Sequence, residues 1–301
     1  MSLTILEASK LSTDVLQKGV IEQFARTSPV LEMLPFMEIS GNSYKFNTEK
    51  ALPAVAFRDV NQGYVESTGE VEQKSVGLVI VGGDSDVDKF LVATRGNVQD
   101  IRAIHTNMKA KALAKAYTKT FFHGDSDTNT LEFDGIAKMV KGTAQDLDAK
   151  LVEEKDGKLT LRKLHALLDQ VEGGADVLFM SKAMRREVQA ILEGQTHYIQ
   201  SGKDAFGRPI EHFGDVQIRT IDDELLPFTV KEGGSVATSE IYAIKFGAME
   251  YLSGLRNGQV SVRDLGELDT LPVFRTRIEF YCGLALFREK AVARLSNLVR
   301  G

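Results

Sequence analysis

From Asn97 to Phe122 the chain reads NVQDIRAIHTNMKAKALAKAYTKTFF, 26 residues without glycine or proline. No other stretch constrains the fold as strongly. Asn97 suits an N-cap, where its side chain takes an orphan amide of the first turn. Asp100 near the start and Lys115 and Lys119 near the end match the helix macrodipole. Ala103, Ala110, Ala112, Ala114 and Ala116 supply the strongest helix propensity available. Val98, Ile101, His105, Met108 and Ala112 recur at intervals of three and four, and Leu113, Tyr117 and Phe121 continue the stripe. Gly124 is the stop signal. At 1.5 Å per residue the helix is roughly 35–40 Å long, so the rest of the chain must be laid along it. On this stripe Ile101 and Met108 belong to the core, and aspartate at either is expected to abolish folding by burying an unpaired charge.

The other classes of fold are narrowed by what the sequence lacks. One cysteine, Cys282, leaves no internal disulfide and no multi-cysteine metal or redox motif. The opening MSLTILEASKLSTDVLQ is not a basic run followed by an apolar core, so no signal peptide is expected, and no apolar run approaches the roughly 20 residues of a membrane span. A hydrophobic share of 43% in 301 residues suffices for a substantial core, and a net charge of −5 argues against a dedicated nucleic-acid binder. The expectation is a soluble protein made inside the cell.

Before the rod, residues 1–40 carry apolar positions Val15, Ile21, Phe24, Val30, Leu31 and Leu34 around Pro29 and Pro35, which limit helices to short pieces. They read as an arm with contacts spread along it. Ser43 to Val92 changes to strand patterning. Tyr44, Phe46, Leu52, Val55 and Phe57 lead into a polar stretch, Arg58–Glu72. Beyond it Val76, Leu78 and Ile80 alternate with Gly77, Val79 and Val81, and Phe90 and Val92 resume the strand. This describes an extended hairpin, which is marginal alone and needs something to lie on.

After the rod, Ile136–Val140 is a short turn in a charged, loop-rich region. A compact α/β unit follows. Thr160 caps a helix with Leu161, Leu164, Leu168 and Val171 on one face, Ala175–Met180 is a buried strand, and Ser181 caps a helix with Met184, Val188 and Ile191 inward. Strands are expected at Val216–Ile221 and Ile241–Phe246. Phe274, Ile278, Phe280, Cys282, Leu284 and Leu286 share one parity against Arg275, Arg277 and Glu279, and Ala291, Val292 and Leu295 read as a closing helix or turn.

A search for chemistry finds little. Neither common phosphate-cradling glycine motif is present, and His105, His123, His165, His197 and His212 lack ligand spacing. His105 and His165 are expected to be half-buried packing residues. Asp125, Asp127 and Asn129 imitate a calcium loop, but its sixth position is Thr130 and its twelfth Ile136, so it fails. Asp84, Asp86 and Asp88 fall on one face of a strand, roughly 6.5–7 Å apart, where basic side chains or a cation must answer them; a partner-paired or solvated face is the preferred reading over a divalent metal. Arg102, Lys109, Lys111, Lys115 and Lys119 leave the rod strongly basic. Carboxylates elsewhere in the fold are favoured as their partners over a polyanion.

The order of these pieces resembles the tailed-phage major capsid protein, the Hong Kong phage type of shell fold. The stretches that carry the resemblance are GVIEQFARTSPVLEMLPF, ALPAVAFRDVNQGYVESTGEVEQ, LVIVGGDSDVDKFLV with the rod and its TFFHGD exit, GGADVLFMSKAMRREVQAIL and FRTRIEFYCGLALFREKAVARL. The fold class this implies is α+β: an N-terminal arm (1–40), an extended β-hairpin loop (41–92), a peripheral domain with the long spine helix (93–142), an axial α/β domain (143–250) and a return to the peripheral domain (251–301). The implied function is an icosahedral shell around double-stranded phage DNA, with no catalysis and no cofactor. Partners are other copies in pentamers and hexamers, a separate scaffolding protein and a portal, with DNA contacted non-specifically at most and no membrane. Assembly is expected in the bacterial host cytoplasm and residence in the virion. Because each extended loop lies over a neighbour in this family, Phe57, Arg58, Asn61, Tyr64 and Glu66 are expected at inter-subunit contacts. The chain begins almost at the arm, which implies that scaffolding is separate or unused. Neither Lys50 nor Lys74 is singled out for covalent crosslinking, so none is expected. The alternatives are an encapsulin-type compartment, whose typical opening residues this chain lacks, and a soluble α/β enzyme on residues 160–250.

Overall fold

The rod forms, and a computed structural model shows what lies against it. The structure describes residues 4–5, 15–95, 101–152, 156–193, 199–203, 209–230 and 236–299. The expected Asn97 cap and Asp100 lie outside the described residues. In chain order the elements begin with helices α1 (Val15–Thr27) and α2 (Pro29–Met33) and strands β1 (Phe36–Glu38), β2 (Ser43–Ala51), β3 (Glu70–Gly77) and β4 (Val79–Asp88). Helix α3 (Lys89–Arg95), the long α4 (Ile101–His123), α5 (Ile136–Val140) and β5 (Asp146–Asp148) follow, then α6 (Leu161–Asp169), β6 (Val177–Ser181) and α7 (Lys182–Glu193). The chain continues through β7 (Ile199–Lys203), β8 (Pro209–Phe213), β9 (Val216–Ile221), β10 (Thr229–Val230) and β11 (Ala237–Ile244). It ends with β12 (Leu252–Arg256), β13 (Ser261–Glu267), β14 (Val273–Leu286) and β15 (Val292–Val299).

Two sheets flank α4. In the first, β14 is the spine: β4 pairs antiparallel along one edge, β13 and β12 share the other, and β1 adds parallel to β12. The second runs β5-β15-β11-β6-β9-β8-β7, with β10 on β11. One of its faces packs on α6 and α7 through Leu164, Leu167, Met184 and Val188. The other joins the main core with Phe179, Tyr242 and Val292. The β2–β3 hairpin is a two-stranded sheet of its own.

The C-terminal half of α4 ties the two sheets together. Tyr117 packs on Phe280 of β14 and on Phe36, with ring centroids 6.3 and 6.1 Å apart. Phe122 meets Phe179 and Tyr242 of the other sheet at 5.7 and 5.0 Å. Helix α1 lies beside α4 and buries Val20, Ile21 and Phe24, the last edge-on to Phe280 at 5.8 Å. The described part of the expected arm therefore buries its apolar contacts within its own chain. Helix α2 starts at Pro29 and ends before Pro35, with Leu34 already extended at ψ 118°.

Several expectations are met at the level of single residues. The Lys163 amide donates to Thr160 Oγ1 (3.3 Å) and the Met184 amide to Ser181 Oγ (3.2 Å), the two helix caps. Strand β6 is buried throughout, and β14 buries Ile278, Phe280, Cys282 and Leu284 on one parity.

Other expectations need correction. Met108 is 60% exposed and Ile101 only half-buried, whereas Thr106, Ala110, Leu113, Ala114, Tyr117, Thr118 and Phe121 face the core. The helix approaches its neighbours closely, which favours Ala and Thr; the Lys109 stem crosses Gly83 so tightly that a Cβ there would lie 2.5 Å from Lys109 Cε. His105 and His165 are exposed, the latter tilted against the Phe213 ring with centroids 5.2 Å apart. Phe90 and Val92 lie in α3, because Asp88 accepts the Phe90 amide (2.7 Å) and ends the strand. Val292 and Leu295 belong to β15, a strand paired with both β11 and β5, so residues 251–301 divide between the two sheets.

A buried ion pair anchors β15. Arg294 donates through Nε and Nη2 to Glu240 (3.0 and 2.6 Å), and the Tyr242 hydroxyl donates to the same carboxylate (2.6 Å). Burial raises the Glu240 pKa, but Arg294's hydrogen bonds and charge, with Tyr242, outweigh it and hold the carboxyl at about 2 against an ordinary 4.5.

Two outcomes follow for stability. Met108→Asp is expected to leave folding intact, within about 0.5 kcal/mol as for other surface changes; Phe122→Ala is expected to cost about 3–5 kcal/mol. Urea unfolding of both variants checks this, and equal losses would put the wrong helix face in the core. Because the folded Glu240 pKa lies below its unfolded value, its contribution is complete above about pH 4.5 and fades as the pH falls toward 2. Glu240→Gln should flatten the acid limb of a stability–pH profile; an unchanged limb would remove Glu240 from that role.

Candidate inter-subunit surfaces

The hairpin is well rooted and bare at its end. At the root, Phe46 packs on Phe287 with centroids 4.6 Å apart, and Tyr44 lies against both rings. These rest on a small core of Met37, Ile39, Leu255 and Ala285, on the side of the first sheet away from α4. Lys74 Nζ reaches Glu289 at 3.0 Å. The ladder runs from Ser43 opposite Gly77 to Ala51 opposite Glu70, so the paired strands are shorter than the patterning predicts and β4 belongs to the first sheet, on β14.

Residues 52–69 form the tip, without strand pairing, and every described side chain there is exposed. Phe57 is 106% exposed and Val55 94%; Leu52, Val60, Tyr64 and Val65 are likewise in solvent. The tip has local order. Asn61 sits at φ 66°, a left-handed conformation that asparagine tolerates, beside the Gln62 amide bonded to Asp59 O (3.2 Å). Arg58 lies over the Tyr64 ring at 5.2 Å and donates to Gln62 O (3.1 Å), and the Ala54 amide donates to Ser67 Oγ (2.8 Å). Phe57, Arg58, Asn61 and Tyr64 thus sit together at the tip, and Glu66 is exposed beside them. Apolar side chains displayed this way carry a hydrophobic cost until something covers them.

Two of the three carboxylates of the acidic strand are answered by arginines, while Asp88 accepts the Phe90 amide (2.7 Å) instead. Arg277 forks onto Asp84 (2.7 and 2.9 Å) and Arg275 onto Asp86 (2.7 and 2.6 Å), cross-strand pairs set by the β4–β14 register. The Arg277 and Arg275 hydrogen bonds hold the Asp84 and Asp86 carboxyls below their usual range. The calcium-like loop has its own cation: Lys138 Nζ lies 2.7, 2.8 and 2.9 Å from Asp125, Asp127 and Asp134. Which basic side chains answer the acids is not visible in residue order, because Lys138 comes from a separate short helix and the arginines from a strand far along the chain.

The long helix's cations are partly neutralised. Arg102 pairs with Asp264 and Lys115 with Glu224 (2.6 Å). Lys111 and Lys119 are exposed and make no ion pair among the described residues. A 340 Å³ cleft between α4, β9 and the start of α7 is lined by Lys115, Lys182, Arg185 and Arg219, but carboxylates answer each of them: Glu224, Asp222, Glu211 and Glu32. Among the described residues no helix is long and apolar enough to cross a membrane.

Residues 13–155 match the family described as major capsid protein GP7. No curated protein matches the sequence. Among solved structures, the chain is similar to the SrpI encapsulin of Synechococcus elongatus PCC 7942, with TM-score 0.68 and 15% identity over 99% of this chain and 97% of that one. It is also similar to the capsid of a native GTA particle (TM-score 0.63, 14% identity, 91% of each chain) and to a structure from Mycobacterium phage Bobi (TM-score 0.64, 12% identity, 89% of each chain). The fold expected from the order of the sequence elements is therefore the one this chain has.

With guanidinium and ammonium groups already on these carboxylates, millimolar calcium or a chelator is expected to leave the melting temperature unchanged. A calcium-dependent rise in thermal denaturation would show that the acidic strand or loop takes a metal.

Proposed function

We propose that this chain, with the phage-head subunit fold and the GP7 major capsid match, is the major capsid protein of a tailed phage, assembling into an icosahedral head around double-stranded DNA. The observation that carries this beyond the fold is the hairpin tip. It is firmly rooted, locally ordered and lined with apolar side chains that its own chain leaves uncovered. A monomer gains nothing from such a projection, whereas a neighbouring copy can bury it. Obligate contacts of this kind bury on the order of 2,000–5,000 Å², and many of them together hold a shell far more tightly than any one.

In this reading Phe57, Arg58, Asn61, Tyr64 and Glu66 form the inter-subunit contact. Residues 1–40 are the arm, 41–92 the extended loop, 93–142 and 251–301 the peripheral domain and 143–250 the axial domain. Pentamers and hexamers, a separate scaffolding protein and a portal complete the assembly in the bacterial cytoplasm, with DNA met non-specifically. The subunit acts as a wall and needs no catalysis.

The likeness to an encapsulin favours a second reading, a compartment for protein cargo. The GP7 match weighs toward the phage head. Portal and terminase genes beside this one would decide for the head, a cargo-enzyme gene for the compartment.

Removing the tip from Asn61 to Glu70 is expected to leave a cooperatively folding subunit that no longer assembles. Electron microscopy and sedimentation of the expressed protein check both halves; normal shells from the deletion would show that the tip is not the clamp.

A further inference from the structure

A 280 Å³ recess opens beside the last turns of α4, walled by the loop from Glu224 to Pro227, by Thr229 of β10 and by the start of β11. Thr238 and Ser239 line it and are buried, 5% and 1% exposed. Neither Thr238 Oγ1 nor Ser239 Oγ has a hydrogen-bond partner among the described residues. A buried hydroxyl left without a partner is costly, and native proteins rarely keep one unless water, an ion or a ligand answers it.

The charges around the recess leave one cation over. Glu224 is taken by Lys115 (2.6 Å), and Glu240 by Arg294 and the Tyr242 hydroxyl (2.6 Å each). His123 also lines the recess, and its charge helps to hold the Glu240 carboxyl ionised. Lys119, one turn before His123 on α4, is exposed and makes no ion pair among the described residues. The bonding capacity still to be used is therefore an ammonium, which only donates, and two hydroxyls, which donate readily to an anion. The space they share is that of several water molecules.

We infer that this recess binds one compact oxyanion of the phosphate class, with Lys119 Nζ and the Thr238 and Ser239 hydroxyls donating to its oxygens. A metal cation finds no place there, since both carboxylates of the recess already carry basic partners. An apolar ligand would leave the hydroxyls unanswered. Free phosphate and the phosphodiester of a nucleic acid present the same chemistry to these donors. The site is independent of the shell function, because it uses neither the hairpin tip nor a second copy of the chain.

Calorimetric titration of the full chain with inorganic phosphate tests the site, with ionic strength matched by chloride so that screening does not imitate binding. The expected result is saturable binding at one site per chain. Lys119→Ala should weaken it about tenfold or more, and Thr238→Val, which removes only an unbonded hydroxyl, about threefold or more. Lys111→Ala, which removes an exposed cation of the same helix outside the recess, should leave it unchanged. Circular dichroism confirms that each variant is folded. A short DNA duplex titrated in parallel separates the sources. Duplex binding that displaces phosphate and is lost in Lys119→Ala identifies a nucleic-acid backbone; phosphate that stays bound beside the duplex identifies the free anion. No saturable binding of either probe, or equal weakening by Lys111→Ala and Lys119→Ala, overturns the inference and leaves the shell function untouched.

Discussion

The aromatic end of the long helix is the contact on which the rest of the molecule depends. Two sheets of different topology have no strand in common, and their cores meet where Tyr117, Phe121 and Phe122 enter between them. Phe122 touches Phe179 and Tyr242 on one side, and Tyr117 touches Phe280 and Phe36 on the other. Large rings at successive turns of one rigid rod fix the distance and angle between sheets that have few other direct links. Ion pairs from Lys115 to Glu224 and from Arg219 to Glu32 add to the bridge. They are secondary, since the first is solvent-exposed and such pairs contribute little, and a largely buried pair such as the second is weak evidence of stability on its own. A hairpin that projects from one sheet is aimed by this joint as well.

The same helix changes character along its length. Its C-terminal half is core, and its N-terminal half leaves Ile104 and Met108 in solvent. At the far side of the first sheet, the hairpin places its aromatic root on Leu255 and Ala285 and leaves its tip bare. Apolar area is thus left uncovered at two separate places in a chain whose core is otherwise well filled, the kind of exposure that interaction surfaces show. The charges follow the opposite rule. Asp84, Asp86, Asp125, Asp127 and Asp134 all find basic partners within the chain, so the subunit settles its acidic clusters alone.

Much of this was legible from residue order, and the failures have definite causes. The rod, the alternating β14, and the two helices capped by Thr160 and Ser181 all follow local rules that tertiary packing left undisturbed. The family expected from the resemblance is the one whose description residues 13–155 match. Strand β12 was invisible because it is buried on both faces, and Gly254 is required where Phe36 packs against it, with a Cβ meeting that ring at 2.5 Å. Strand β15 carries Val292, Leu295 and Leu298 at three-residue spacing, which imitates a helix, yet a strand buried on both faces needs no alternation. The core face of α4 was misjudged in its first half because hydrophobicity points to Ile101 and Met108, while close approach to β4 selects Ala110 and Thr106. Of the candidate site, Phe57, Arg58, Asn61 and Tyr64 all lie in one exposed tip, which no described part of this chain covers.

The lysines of the rod can now be weighed. Arg102 and Lys115 are engaged by Asp264 and Glu224, and Lys109 lies across Gly83 close enough to Asp84 to help hold its carboxyl down. That leaves Lys111 and Lys119 as the rod's exposed cations without an ion pair among the described residues. Two cations per subunit are too few to bind a polyanion at physiological salt, where each released counterion contributes roughly one unit to the slope of log affinity against log salt.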